Sequence, residues 1–181
     1  MTFRIVITGA PASGKSEFIE RLKNEPEFVQ FEFLGEMARQ LLEENPGYRN
    51  DWAEFHHEIY RRQTAREKAL DGKSFVTDRG TLDAFAFHPE TAGDVNTTIE
   101  NEYTRYDAVI HLGSSASLGE EYYQRDNIRN ESIDEAMAIE RAITGVWSGH
   151  SGYRFILADN DMEEKYHKFF AAICALIRKP K

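Results

Sequence analysis

The chain has 181 residues, 41 % hydrophobic and 29 % charged, which predicts a single globular domain with a substantial core. Its formal net charge of −9 argues against a dedicated nucleic-acid binder, because such a protein needs a basic face to neutralise phosphates. Cys174 is the sole cysteine, so no disulfide can form within the chain. Arg4 interrupts the first apolar run, and no run is long enough to cross a membrane. We therefore expect a cytoplasmic protein without a signal peptide.

The first predicted strand, Phe3 to Thr8, is followed by a loop with the pattern G-x-x-x-x-G-K-S and by a helix from Lys15 to about Asn24. Strand, loop and helix in this order are typical of a phosphate-binding loop. Its glycines let the backbone approach a phosphate closely, and the helix presents its positive N-terminal end to the anion. The residues expected to bind the nucleotide are Gly9, Ala10, Pro11, Ala12, Ser13, Gly14, Lys15 and Ser16.

Two side chains of this loop carry specific expectations. Lys15 is expected to reach the β- and γ-phosphates, and the Ser16 hydroxyl to bind Mg²⁺. The alternative is a glycine-rich turn before a helix, with Lys15 merely solvated.

A second strand is predicted over Phe28 to Leu34, and a helix follows from Glu36 to Leu42. Glu36 would place a carboxylate just beyond that strand. It could equally be an acid of the first helical turn, which the helix dipole favours. After a turn at residues 45–47, Asp51 is a predicted N-cap for a long helix that ends near Leu70.

The third predicted strand, Lys73 to Thr77, ends in Asp78-Arg79-Gly80. A carboxylate at the end of an apolar strand is the second half of a phosphate-loop site, where it holds Mg²⁺ through water or acts as a base. Alternatively, Asp78 caps the short helix that follows, and Arg79 pairs with a surface acid.

The remainder of the chain continues to alternate helices and strands. The predicted elements are a short helix over Leu82 to Phe87, a more polar helix over residues 91–106, a strand over Ala108 to Leu112, a helix with an apolar face from Ile133 to Trp147, a strand over Tyr153 to Leu157 and a last helix from Met162 to Ile177. Five strands alternating with helices predict a three-layer α/β/α fold around a mostly parallel sheet. Ligands of such sheets bind at the carboxyl ends of the strands, where Lys15, Glu36 and Asp78 all fall.

A polar segment precedes the helix that begins at Ile133, and it contains Arg125 and Arg129. Four residues apart, the two arginines would share one helical face and could close over a transferring phosphoryl group. They could instead belong to a solvated surface. The histidines show no metal-ligand spacing, and the adjacent His56 and His57 would point in different directions on a helix.

Taken in order, these motifs resemble the AAA-domain P-loop family related to nicotinamide ribonucleoside kinases and, more distantly, nucleoside and nucleoside-monophosphate kinases. The resemblance covers nearly the whole chain and implies the P-loop NTPase fold in one domain, residues 1–181, with a lid near residues 114–130. It implies ATP and Mg²⁺ as cofactors. The loop at Ala158-Asp159-Asn160 would pack on adenine.

The resemblance also implies roles for individual side chains. Glu36 would contact the acceptor hydroxyl, Asp78 would serve the metal and acceptor, and the lid residues Arg125 and Arg129 would engage the nucleotide phosphates. The candidate substrate contacts are Arg39, Arg79 and Asp83.

Three functions remain open from the sequence. The first is a Mg²⁺-dependent kinase that transfers the γ-phosphoryl group of ATP to a hydroxyl of a small, nucleoside-like acceptor. The second is a regulatory ATPase or switch that acts through a protein partner. The third is a ligand-binding module without catalysis. In the first case, the helices around Trp52 to Tyr60 and Asp83 to Phe87 would shape the acceptor pocket. No membrane or nucleic-acid partner is expected, and the oligomeric state is left open.

Overall fold

The structure, a computed structural model, describes residues 2–123 and 131–178. It contains one five-stranded sheet, and every pair of neighbouring strands is parallel. The strands are β1 (Arg4–Thr8), β2 (Glu32–Leu34), β3 (Phe75–Asp78), β4 (Ala108–Leu112) and β5 (Tyr153–Ile156). Their order across the sheet is β2-β3-β1-β4-β5, which places β1 at the centre. The carboxyl end of β1 therefore lies between those of β3 and β4, where the phosphate-binding loop begins.

Eight α-helices occur within the described ranges. They are α1 (Lys15–Leu22), α2 (Met37–Glu44), α3 (Trp52–Ala69), α4 (Thr81–Phe87), α5 (Thr91–Asp94), α6 (Ile99–Tyr103), α7 (Ile133–Trp147) and α8 (Met162–Ile177). The predicted cap at Asp51, and a second cap at Thr98 that was not predicted, form hydrogen bonds that fix a helix start. The Asp51 carboxylate accepts from the Glu54 N–H at 3.0 Å, and the Thr98 hydroxyl accepts from the Asn101 N–H at 3.2 Å.

Successive side chains of β1 point to opposite faces of the sheet, so each face has its own core. Ile5 and Ile7 pack with α1 and α8 on one face. Val6 packs with α4 and α7 on the other face, and Trp147 of α7 is fully buried there. This arrangement confirms the predicted three-layer α/β/α fold, with a sheet that is wholly parallel.

The predicted strand over Phe28 to Leu34 is mostly wrong. Residues Pro26–Phe28 form a 3₁₀ turn, and only Glu32–Leu34 joins the sheet. Pro26 suits the first position of a helical turn, because it has no N–H to leave unpaired. The Phe28 ring is fully buried, 4.9 Å from the Phe31 ring, so the aromatic run fills the core from a turn.

The single helix predicted over residues 91–106 is also wrong, because two short helices, α5 and α6, occupy this stretch. Asn96 lies between them with φ +53°, a left-handed conformation that interrupts a right-handed helix.

Among the helices in the described part of the chain, none is long and apolar enough to span a bilayer.

Candidate active site

The phosphate-binding loop joins β1 to α1 in a conformation that its sequence permits. Ala12 has φ +60° and Gly14 has φ +81°, both in the left-handed region. At Gly9, an added Cβ would lie 2.6 Å from the Leu112 carbonyl oxygen and 2.7 Å from Ser13 Oγ. A side chain at Gly9 would therefore force the loop away from the end of β4. The loop lines a cavity of about 350 Å³ that also includes Arg39 and Glu131.

The opposite side of this loop is braced by the rest of the domain. The Lys165 ammonium donates to the carbonyl oxygens of Ser13 at 2.8 Å and Gly113 at 2.7 Å. The Ser114 hydroxyl donates to the Pro11 carbonyl at 2.5 Å, and Glu140 accepts from the Ser114 N–H at 2.6 Å. Burial lowers the pKa of Lys165 to about 8 and raises the pKa of Glu140. The loop is thus held in place by buried polar groups from α7, α8 and the end of β4.

Lys15 is paired with Asp78 in this structure. The Lys15 ammonium donates a short hydrogen bond to the Asp78 carboxylate, and each residue is 8 % exposed. The register aligns Asp78 with Ile7, near the end of β1, so the sheet itself brings these two residues together. A buried ion pair of this kind holds the lysine ammonium beside the loop.

Ser16 and Asp78, the predicted magnesium ligands, line one cavity of about 260 Å³ together with Glu36 and Arg39. No cluster of three or more His, Cys, Asp or Glu side chains suited to a metal occurs within residues 2–123 and 131–178. A hydroxyl and a carboxylate fit Mg²⁺, which keeps several waters and takes its other ligands from substrate phosphates. Ser16 and Asp78 would therefore hold the ion only together with a nucleotide.

Arg79, directly after β3, forms an ion pair with Glu36, which follows β2. Its backbone has φ +70°, which is rare for a residue with a side chain. Its guanidinium lies 3.1 Å from an Asp83 carboxylate oxygen and 3.6 Å from a Glu36 carboxylate oxygen. Burial acts to lower the pKa of Arg79, but the carboxylates of Asp83 and Glu36 outweigh it and raise that pKa. The left-handed backbone at Arg79 therefore places its guanidinium between the carboxylates of Asp83 and Glu36.

Asp83 is buried, and its carboxylate accepts from several donors. The Thr8 hydroxyl donates a short hydrogen bond to it, and Arg79 donates to the same oxygen. Its other oxygen accepts from the Gly80 N–H at 2.9 Å and from the Trp147 indole N–H at 3.1 Å. Asp83 thus ties the end of β1 to α4 and α7, and it orients Arg79.

A second cavity of about 300 Å³ adjoins the loop cavity. The two share Glu36, Arg79 and Glu131 in their walls. Most of the remaining wall is apolar or aromatic and comes from α2, α3, α4 and α7: Met37, Ala38, Leu42, Trp52, Phe55, His56, Ile59, Ala84, Phe87 and Ile139. Both segments predicted to shape an acceptor pocket, Trp52 to Tyr60 and Asp83 to Phe87, contribute to these walls.

A third cavity, of about 270 Å³, lies on the other side of the loop. Asp159 and Asn160 line it together with Ala12, Gly14 and Tyr122. This is the segment predicted to pack on adenine, and the cavity is open beside the loop. Arg125 and Arg129 lie outside the described residues, so their predicted contact with phosphates is not placed.

Sequence reasoning missed three residues of this site: Glu131 and His56, which line the cavities, and Lys165, which braces the loop from behind. A signal for Lys165 was present, because it occupies an apolar face of α8, three residues after Met162 and four before Phe169. A charge at such a position predicts a buried partner. Glu131 and His56 carry no comparable pattern.

Comparison with known proteins identifies the family and the fold of this chain. The sequence profile of a family described as an AAA domain matches residues 4–165. No curated protein sequence matches the chain.

Among solved structures, deoxyadenosine kinase from M. mycoides with bound dATP has a TM-score of 0.64 at 14 % identity, covering 94 % of this chain and 99 % of the kinase. The same enzyme with the products dCMP and a flexible dCDP has a TM-score of 0.59 at 17 % identity, covering 95 % and 99 %. Its complex with dCTP gives a TM-score of 0.58, also at 17 % identity and with the same coverage. At these identities the likeness establishes the shared fold.

Proposed function

The chain belongs to an AAA-domain family of P-loop proteins, and on that premise we propose that it is a kinase that transfers the γ-phosphoryl group of ATP to a hydroxyl of a nucleoside. The observation that carries the proposal is that two cavities lie side by side and share part of their walls. One is formed by the phosphate-binding loop, the other is mostly apolar, and Glu36, Arg79 and Glu131 line both. A phosphoryl donor in the first cavity and an acceptor in the second would meet at these side chains.

The size and lining of the second cavity suit a small aromatic acceptor. Its volume of about 300 Å³ is at the lower end of the range for small-molecule sites, which are mostly apolar with a few polar groups. Trp52, Phe55 and Phe87 supply aromatic surface for a planar base. Glu36 and Arg79 supply the polar groups, at the boundary with the loop cavity, where the reacting hydroxyl of a sugar would lie.

The charges of the cavity favour a nucleoside over a nucleoside monophosphate. Its walls include four carboxylates, those of Glu36, Asp78, Asp83 and Glu131. Arg79 is the one arginine or lysine in the described lining, and it already faces Glu36 and Asp83. A phosphorylated acceptor would meet uncompensated negative charge, whereas a neutral nucleoside would not.

In the reaction, the acceptor oxygen would form a bond to the γ-phosphorus while the bond from that phosphorus to the β–γ bridging oxygen breaks, and ADP would leave. Glu36 would accept the proton of the attacking hydroxyl, and Arg79 would hold the Glu36 carboxylate in position. Lys15 would leave Asp78 for the β- and γ-phosphates. Mg²⁺, held by Ser16 and Asp78, would neutralise phosphate charge when bound.

The resemblance to deoxyadenosine kinase supports this proposal, because the shared fold extends over 99 % of that enzyme and over 94–95 % of this chain. ATP as donor, Mg²⁺ as metal and a nucleoside as acceptor are parts of the same proposal. So is a cytoplasmic location, where these small molecules are available. A lid near residues 114–130, with Arg125 and Arg129 on the phosphates, stays a prediction.

The test is ADP release from Mg-ATP, alone and in the presence of ribonucleosides, deoxyribonucleosides and their monophosphates. We expect ADP release to rise with a nucleoside and a phosphorylated product to appear in equal amount. Stimulation by a monophosphate instead would contradict the choice of acceptor. Hydrolysis that no acceptor changes would favour a regulatory ATPase, and ATP binding without turnover would favour a binding module.

A further inference from the structure

His56 lines the apolar cavity, and its buried imidazole has no hydrogen-bond partner in the described part of the chain. The residue is 2 % exposed, and neither ring nitrogen has a hydrogen-bond partner among residues 2–123 and 131–178. An imidazole always carries at least one N–H donor, and a buried donor or acceptor left unpaired costs about 1–3 kcal/mol. A phenylalanine or leucine would avoid this cost in the same aromatic surroundings. The stability of the fold therefore does not explain a histidine at this position.

The ring is held in a fixed orientation by its neighbours. It lies parallel to the Phe87 ring, with centroids 5.9 Å apart and 12° between the planes, and parallel to the His88 ring at the same distance. The Trp52 ring, 49 % exposed, lies nearly perpendicular to the His56 ring with the ring centroids 4.6 Å apart. Burial, together with the nearby His88, lowers the pKa of His56 to about 4, so the ring is neutral at pH 7. A neutral imidazole offers one donor and one acceptor.

The position of His56 in the cavity wall, away from the charged end, indicates which part of an acceptor it would contact. Glu36 and Arg79 mark the end of the cavity that adjoins the loop, while His56 belongs to the aromatic part of the wall with Trp52, Phe55 and Phe87. If the sugar hydroxyl lies at the charged end, the base lies among the aromatic rings. A nucleobase has donors and acceptors along its edge and two apolar faces, which is the complement of this part of the wall.

We propose that His56 is a specificity-determining residue that hydrogen-bonds the polar edge of the acceptor's nucleobase and so selects a heteroaromatic base over an apolar ring of the same shape. This inference rests on the proposed function and deepens it by assigning the base end of the acceptor site. The ligand would satisfy a nitrogen that the protein leaves unpaired, so the hydrogen bond forms only in the complex. Sites of this design discriminate strongly, because the wrong ligand leaves their buried polar groups unsatisfied.

The experiment compares the wild-type chain with His56→Phe and with the matched control His57→Phe, a neighbouring histidine whose side chain is 44 % exposed. Two acceptors are titrated by calorimetry and in the ADP-release assay: thymidine and its apolar isostere that carries a difluorotoluene ring. Whichever natural nucleoside the wild type prefers is included. KM for ATP is measured in parallel.

We expect His56→Phe to raise the KM for natural nucleosides about tenfold or more, the loss of one buried hydrogen bond, while the isostere and ATP change less than about threefold. The same variant should have a higher Tm without ligand, since it removes an unpaired imidazole. His57→Phe should match the wild type. An equal effect on thymidine and its isostere would show a role in shape alone and overturn the proposal, as would no effect on either.

A measurement on the unmodified protein covers the case in which His56→Phe does not fold. The ¹⁵N shifts of the His56 ring nitrogens are recorded with and without saturating nucleoside. A shift that reports a new hydrogen bond supports the proposal, and unchanged ring nitrogens overturn it. If the wild type phosphorylates a nucleoside while His56 proves indifferent, only this inference fails. If it neither binds nor phosphorylates any nucleoside, the proposed function fails as well.

Discussion

The ammonium of Lys165 donates a hydrogen bond of 2.8 Å to the carbonyl oxygen of Ser13, inside the phosphate-binding loop. The same ammonium bonds the Gly113 carbonyl at the end of β4. Lys165 is 1 % exposed, so both bonds form away from solvent. One buried cation thus fastens the loop to the neighbouring strand from the side opposite the nucleotide.

Replacing Lys165 with methionine should loosen the loop without removing any group that contacts phosphate. Two carbonyl oxygens lose their donor, so we expect the free energy of unfolding to fall by about 1–3 kcal/mol. ATP affinity should fall several-fold, because the loop must then be ordered by the ligand. Urea denaturation and nucleotide titration measure the two effects. Lys73→Met, at an exposed lysine that pairs with Glu32, is the control; equal ATP affinity in both variants would contradict the bracing role.

Asp78→Asn should separate nucleotide binding from turnover. The change releases Lys15 from its ion pair, so ATP binding in the absence of Mg²⁺ should stay the same or tighten. Turnover with Mg²⁺ should fall at least about a hundredfold, since a ligand and its charge are lost. Asp71→Asn, at an exposed acid, should change neither. Weaker metal-free binding in the Asp78 variant would argue that the carboxylate positions Lys15 productively.

Glu36→Gln should impair phosphoryl transfer and largely spare ATP binding. The amide keeps the side chain's shape but cannot accept the proton of the attacking hydroxyl, and such proton transfers contribute about 10²–10⁴-fold to rates. Pre-steady-state rates of product formation, together with the Kd for ATP, measure the change. Glu32→Gln on β2 is the matched control. Turnover equal to that of the parent would exclude Glu36 as the base.

Asp83→Ala should be among the more destabilising single changes in this site. It leaves Arg79 without its closest acid and removes acceptors from Thr8, Gly80 and Trp147. Breaking a buried pair in this way costs about 3–5 kcal/mol. We expect a loss of that order in urea denaturation, against little change for the exposed Asp94→Ala. A small loss would mean that water replaces the carboxylate.

The buried histidines should make the protein sensitive to mild acid. Burial lowers the pKa of both His56 and His111 to about 4, from an ordinary value of 6.5. Both rings are neutral in the folded and unfolded states above pH 6.5. Between pH 6.5 and 4 the unfolded chain binds more protons, so stability falls as the pH falls.

The measurement is the free energy of unfolding as a function of pH. The wild type should lose stability across this window with a slope approaching two protons, and His56→Phe should lose about one proton of that slope. An unchanged slope in the variant would show that His56 is charged or exposed in the folded state.

Much of the fold follows from local signals. Residues 108–112 form an apolar strand, and residues 9–16 form a phosphate-binding loop, because chain-local patterns decide both. The aromatic run from Phe28 fails as a strand prediction because its side chains fill the core from a 3₁₀ turn, and β-propensity cannot distinguish the two. The left-handed backbone of Asn96 separates α5 from α6, and asparagine tolerates this conformation without requiring it.

The site was predictable to the extent that it lies at strand ends. Asp78 ends a strand, and Lys15, Glu36 and Arg79 follow strands; a parallel sheet gathers such positions at one edge. The partners of these groups were not predictable. Arg79 could pair with any nearby acid, and the bonds that Asp83 makes to Thr8 and Trp147 span 75 and 64 residues. Contacts at such separations depend on how the helices pack.

The bond between Lys165 and Ser13 also spans the chain, joining residues 152 positions apart. During synthesis, the loop emerges early, but the strands on either side of β1 and the lysine that fixes it emerge much later. An incomplete chain therefore has no rigid cradle to offer a nucleotide. A bound nucleotide would therefore stabilise the finished fold without guiding the nascent chain toward it.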